Sequence, residues 1–88
     1  MARVVASIKL FPEDIISNIN GVKDDIRKAL PANMSIHKID EEPIAFGLVA
    51  LVVHVVMPED AGELEKVEKA FNKIKEIRTV ETLLVRRI

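Results

Sequence analysis

Ten consecutive residues in the middle of the chain, Leu48-Val49-Ala50-Leu51-Val52-Val53-His54-Val55-Val56-Met57, are apolar except for one histidine. The run is rich in β-branched valine, which favours extended backbone. It is too short to cross a membrane, which takes about 20 apolar residues. A strand that is apolar on both faces needs cover on both, so it belongs inside a sheet and not at its edge. That requirement organises everything else in a chain of 88 residues, which is enough for one hydrophobic core.

The flanking segments supply the cover. From Arg3 to Phe11 the sequence alternates, with Val4, Ala6, Ile8 and Leu10 on one face and Arg3, Ser7 and Lys9 on the other, and Pro12 ends it. This predicts a half-buried strand. Ile15, Ile16, Ile19, Val22, Ile26, Ala29 and Leu30 then recur at helical spacing, predicting a helix over Asp14 to Leu30 that Gly21 weakens and Pro31 stops. Met34 to Glu42 alternates loosely with many polar residues, as an edge strand does. After the apolar run, Pro58-Glu59-Asp60 turns the chain, and Asp60 with Glu63 three residues on resembles a capping box. Leu64, Val67, Phe71 and Ile74 form the inward stripe of a second helix, with Ala70 beside it. A β-rich segment runs from Thr79 to Ile88.

The order strand, helix, strand, strand, helix, strand is that of two interleaved right-handed β-α-β crossovers. It predicts an α+β ferredoxin-like βαββαβ sandwich, a four-stranded antiparallel sheet with two helices on one face. The usual strand order of that fold, 4-1-3-2, puts the first and third strands in the centre, and these are the two most apolar here. Neither a repeat nor a linker interrupts the pattern, so residues 1–88 are expected to form a single domain.

Composition narrows the function. The 49% hydrophobic and 31% charged content is that of an ordered globular chain. The net charge of −1 gives phosphate attraction little to work with, so no direct nucleic-acid partner is expected. The absence of cysteine removes disulfides, thiolate metal sites and cysteine nucleophiles. With no signal-peptide pattern and no membrane span, a cytoplasmic protein is expected.

The candidate chemical constellations are weak. His54 reads as a packed or sheet-face residue, and His37 near Asp40 and Glu41 has no third strong ligand, so no metal site is expected. The serines Ser7, Ser17 and Ser35 have no nucleophile-elbow context, and no Ser-His-Asp set can be argued from the sequence. Glu41 and Glu42 are neighbours in a strand and point to opposite faces, so they do not share a substrate. Among proteins of this fold class, base-stacking RNA binders need aromatics on the central strands, and only Phe11 stands there. Metal chaperones need a Cys-x-x-Cys loop. Acylphosphatases need an anion-cradling Gly-rich loop where this chain has Leu10-Phe11-Pro12-Glu13-Asp14. A small-ligand-binding regulatory domain remains as an alternative on fold class alone.

One segment is more specific. Glu42-Pro43-Ile44-Ala45-Phe46-Gly47-Leu48, with Leu51 three residues on, resembles the Pro-Ile-x-(Phe/Tyr)-Gly-(Ile/Leu)-x-x-Leu segment of the elongation factor 1-beta family. The end of the chain, Arg86-Arg87-Ile88, is similarly basic and then aliphatic, as in that family. The resemblance implies a guanine-nucleotide exchange factor, without covalent chemistry of its own, that releases GDP from elongation factor 1-alpha during translation elongation. It looks like the archaeal type, an exchange domain alone. Implied with it are a partner that carries its own magnesium and GDP or GTP, no cofactor for the factor itself, and a monomer when free. Two contact regions carry over: the aromatic Phe46, which packs on a β-barrel domain of the GTPase, and Arg87, which reaches the magnesium and phosphate site. The family's penultimate residue is typically Lys in eukaryotic members; here it is Arg, bulkier and planar but equally charged.

On the residues alone, Phe46 reads as a cap on the end of the sandwich core; taken with the resemblance, the residues fit the two contact roles. Pro43 restricts the approach to Phe46, and Gly47 lets the chain turn sharply, so Phe46 is expected to project outward as an anchor. Simple alternation puts Arg87 on the face of Leu83 and Val85, where a charge is out of place, and Arg86 on the opposite face.

Overall fold

The computed structural model describes residues 2–88. It runs β1 (Arg3–Pro12), α1 (Ile19–Ala29), β2 (Ser35–Pro43), β3 (Val49–Pro58), α2 (Glu63–Asn72) and β4 (Ile77–Arg87). The four strands form one antiparallel sheet in the order β2-β3-β1-β4, so the two strands with the strongest apolar pattern are the central ones. Val4, Ala6, Ile8 and Leu10 of β1 pack with Leu51, Val53, Val55 and Met57 of β3 on one face. Val22 and Ile26 of α1 and Val67 and Phe71 of α2 close the core over them. This is the ferredoxin-like sandwich that the order of elements predicts.

The second face of β3 is covered without a second layer. Lys9 on β1 reaches over β3 to Glu42 on β2, 3.1 Å away. Its aliphatic stem lies over the neighbourhood of Val52 and Ala50, which are 8% and 0% exposed. A parallel chain of hydrogen bonds runs from Ser7 on β1 through His54 on β3 to Asp40 on β2. Two polar braces therefore tie three strands together on the open face, and they explain how β3 can be apolar on both sides.

Three local expectations are corrected. Helix α1 starts at Ile19, not Asp14, because Asn18 caps it: the Asn18 side chain accepts the Gly21 N–H at 3.1 Å. Gly21 is part of that cap, since a Cβ there would stand 2.7 Å from Asn18 Nδ2. The Asp60–Glu63 capping box does not form. Gly62, at φ 86°, is the N-cap of α2, and the Glu63 carboxylate instead accepts from Asn33 and Lys66. Strand β4 begins at Ile77, two residues before Thr79, because Ile77 is buried and pairs with Pro12.

The sheet gives the molecule a long axis. Its dimensions are 42 × 20 × 18 Å. The β2–β3 turn lies at one end, where Pro43 pairs with Val49 and Leu10 with Leu51. Arg87 lies at the other, where it pairs with Val4 and Arg3 pairs with Pro58. Ten residues of β3 at about 3.4 Å each separate the two ends by roughly 30 Å. Among the described residues, no helix is long and apolar enough to cross a membrane.

Candidate functional site: two ends of one sheet

At the first end, the Ile44 N–H donates to Leu48 O at 2.9 Å and the Leu48 N–H to Ala45 O at 2.9 Å. The central residues of this turn, Phe46 and Gly47, have φ of 54° and 79°. Positive φ at both positions is the signature of a type I′ hairpin turn, which suits the twist of the flanking strands. Gly fits the second position; Phe does not fit the first. A side chain in the left-handed region costs about 1–2 kcal/mol, and Phe46 is the one non-glycine residue among those described that adopts it. The ring gains no core burial in return, because Phe46 is 92% exposed. Strain combined with full exposure of the largest apolar side chain in the turn marks a residue kept for something outside the fold. Pro43 ends β2 and Gly47 completes the turn, each where the sequence puts it.

At the second end, Arg86 and Arg87 lie on β4 and point to opposite faces. Arg87 pairs with Val4, on the helix-covered face, and Arg86 with Val5, on the open face. The sharing of a face by Leu83, Val85 and Arg87 is corrected. Ser7 pairs with Leu84 and Ile8 with Thr82, so Leu83 is the extra residue of a β-bulge, and only Val85 keeps the face of Arg87. The backbone is held to its end: Ile88 N–H donates to Arg3 O at 3.2 Å. The side chain is 77% exposed, and its guanidinium is caught by the Glu59 carboxylate, with Nε and Nη2 donating to Oε1 at 3.1 and 2.6 Å. That hydrogen bond, helped by the charge of Glu59, raises the Arg87 pKa above its ordinary value. Arg87 is a fixed cation at every accessible pH, with donors left over beyond the two that Glu59 takes.

The structure also brings together what the sequence did not. Ser7 Oγ lies 2.8 Å from His54 Nδ1, and His54 Nε2 lies 2.9 Å from Asp40 Oδ2. An ionised carboxylate only accepts, so Nε2 carries a proton, and in the neutral ring the Ser7 hydroxyl donates to Nδ1. The row has the composition of an acyl-transfer triad but not its setting. Strand β1 pairs on both sides, which commits the backbone N–H groups around Ser7 to the ladders, whereas an oxyanion needs such donors aimed into open space. It braces the sheet. His37, at the β2 irregularity, is exposed and stays out of the network. No cluster of three metal-ligating side chains forms among the described residues. Glu41 and Glu42 separate as expected, Glu41 going to Lys23 on the helix side and Glu42 to Lys9 on the open face.

The brace carries a pH signature. Its hydrogen bond from His54 holds the Asp40 carboxyl below the ordinary 3.8, and the nearby Lys38 adds to the effect. A depressed folded-state pKa means stability that is fully present above the unfolded value and is lost as the pH falls through the folded one. Denaturant titrations below pH 4 should therefore show a loss that Asp40→Asn makes shallower. An equally steep acid limb in that variant would show that Asp40 does not carry it.

Comparison with known proteins identifies the family and the fold. The family model for the EF-1 guanine nucleotide exchange domain matches residues 5–88. The elongation factor 1-beta of Methanothermobacter thermautotrophicus is 42% identical over 88 residues, covering 100% of this chain and 99% of that protein. That of Staphylothermus marinus is 42% identical over 89 residues, again covering 100% and 99%. Among solved structures, the ACT domain from GTP pyrophosphokinase of Chlorobium tepidum superposes with a TM-score of 0.66 over 92% of this chain and 86% of that one, at 20% identity. The C-terminal domain of the MgtC protein from Mycobacterium tuberculosis does so with a TM-score of 0.61 over 99% and 87%, at 12% identity. At such identities these two share the fold alone, and they give the ligand-binding alternative no support. A family-model match over residues 5–88, with relatives 42% identical along the whole chain, places this protein in the elongation factor 1-beta family of guanine-nucleotide exchange factors.

Proposed function

We propose that this exchange factor grips elongation factor 1-alpha at two places, docking through Phe46 and acting on the nucleotide through Arg87. As a member of its family it promotes release of GDP from that GTPase so that GTP can bind. The observation that carries the two-point reading is the separation of the two sites. They occupy opposite ends of a 42 Å molecule with a rigid sheet between them, so one body can hold one domain of the GTPase while reaching another.

The physical task is to stabilise the nucleotide-free GTPase more than the nucleotide-bound one. By linkage, whatever binds the empty form more tightly weakens nucleotide binding by the same factor. Phe46 supplies affinity: an exposed, preorganised aromatic filling an apolar recess loses little freedom on docking. Pro43 and Gly47 hold it in place. Arg87 supplies the difference between the two forms, because a cation brought beside the magnesium and phosphate site competes for the charges that hold the metal. Arg86, on the open face, is a secondary contact. The mechanism needs no cofactor of the factor's own and no covalent step; magnesium, GDP and GTP belong to the GTPase. The factor works as a single copy in the cytosol.

In the decisive assay, substoichiometric factor should accelerate release of a fluorescent GDP analogue from elongation factor 1-alpha and turn over many times. Release that stays at the spontaneous rate across a concentration series would remove the exchange reading.

A further inference from the structure

We propose that Ile15, on the loop between β1 and α1, is a second docking residue for the GTPase, forming with Ile44 and Phe46 one apolar surface built from two distant segments. The inference rests on the reading of Phe46 as an anchor and extends it to a residue outside the hairpin.

Ile15 belongs to the helical stripe by spacing, yet the chain leaves it out of the helix. Residues 13–18 stay irregular and are pinned: Glu13 N–H donates to Glu76 O at 2.8 Å, and Ile15 N–H donates to Asp14 Oδ1 at 2.7 Å. The loop displays Ile15 at 61% exposure, while the next residue, Ile16, packs against the core. The exposed side chain is not free in space. It lies under the hairpin turn, where a Cβ on Gly47 would stand 3.4 Å from Ile15 Cδ1. Ile44, beside it in the hairpin, is 42% exposed. Two recesses open at this end of the sheet, one lined by Glu13, Asp14, Ile15, Ile16, Lys75 and Glu76. The other is lined by Phe11, Pro12, Ile44, Leu48, Arg78 and Thr79.

Contact between Ile15 and the turn decides the occupant. Gly47 follows Phe46 directly, and a Cβ built on Gly47 would already touch Ile15, so a surface that receives the Phe46 ring comes down close to Ile15 as well. The occupant is therefore the same GTPase domain, offering an apolar floor wider than one ring pocket. Contiguous exposed apolar side chains are how such surfaces are made, while a single exposed isoleucine would need no account.

The test measures stimulated GDP release against factor concentration, with a melting curve for every variant. Ile15→Ser should raise the half-saturating concentration about fivefold or more, the scale of a contributing interface residue. The maximal rate and the melting temperature should stay unchanged. Ile15→Leu should restore half-saturation, and Leu84→Ser, which removes an equally exposed apolar side chain from the sheet, should not alter it. Ile15→Lys keeps a long aliphatic stem under the turn but places a charge in the interface, so it should be as defective as Ile15→Ser. Wild-type half-saturation in Ile15→Ser and Ile15→Lys, beside a defective Phe46→Asn, overturns this inference and leaves the Phe46 anchor standing. Wild-type behaviour in all three variants removes the anchor and this extension together.

Discussion

Phe46→Asn should melt several degrees higher than the unchanged protein and bind elongation factor 1-alpha much more weakly. The two effects have separate causes at one residue. In the folded chain Phe46 sits at φ 54° as the first central residue of a type I′ turn. Asn before Gly is the preferred pair there, because its short polar side chain tolerates the left-handed region. Relief of about 1 kcal/mol of strain corresponds to a rise of roughly 4–8 °C in a domain of this size. The ring forfeits nothing when it is removed, since it is 92% exposed and makes no core contact. Binding responds in the opposite direction. Loss of an aromatic anchor costs about 2 kcal/mol or more, or roughly thirtyfold in affinity. Phe46→Ala should show the binding defect with little change in melting. A fall in melting temperature for Phe46→Asn would mean that the ring supports the fold after all, and unchanged binding would remove it from the interface.

How much of this was legible in the sequence follows from the range of each interaction. Strand positions were readable because alternation is local: Val4, Ala6, Ile8 and Leu10 announce their face with no knowledge of their partners. The central place of β1 and β3 followed from the same pattern. Helix boundaries were not readable from periodicity, since Ile15 and Ile16 continue the stripe of Ile19 and Val22, yet the Asn18 cap starts the helix after them. The signal was present in Asn18 and Gly21, a capping side chain followed three residues later by a residue with no Cβ. The bulge at Leu83 and the Ser7–His54–Asp40 row depend on register across two and three strands. No local pattern encodes register, so a sequence search for a nucleophile motif passes over them. Phe46 stood out because Pro43 and Gly47 are local turn signals, and the structure added the strain that makes its placement informative.

Arg87→Ala should lower stimulated GDP release about tenfold or more while changing the affinity for the GTPase by less than about threefold, a loss confined to the step that Arg87 assists. The argument begins with what Arg87 does not do for the fold. Its side chain is 77% exposed, its partner Glu59 lies at the surface, and exposed pairs of this kind add little to stability. The melting temperature should hardly move. Docking should also survive, because Phe46 lies at the far end of the sheet. What disappears is a permanent, exposed cation on a strand whose backbone is pinned through Val4 and Ile88. A cation delivered beside the magnesium site acts against the metal's hold on the phosphates. Raising magnesium should therefore deepen the defect, since the metal then rebinds without competition. Arg87→Lys keeps the charge but loses the planar fork that two donors now present to Glu59, and it should retain much of the stimulation if point charge is what counts. Arg86→Ala, on the opposite face, should be tolerated better. Normal stimulation by Arg87→Ala across a magnesium titration would leave docking alone to account for exchange, and the two-ended mechanism would fail at this end.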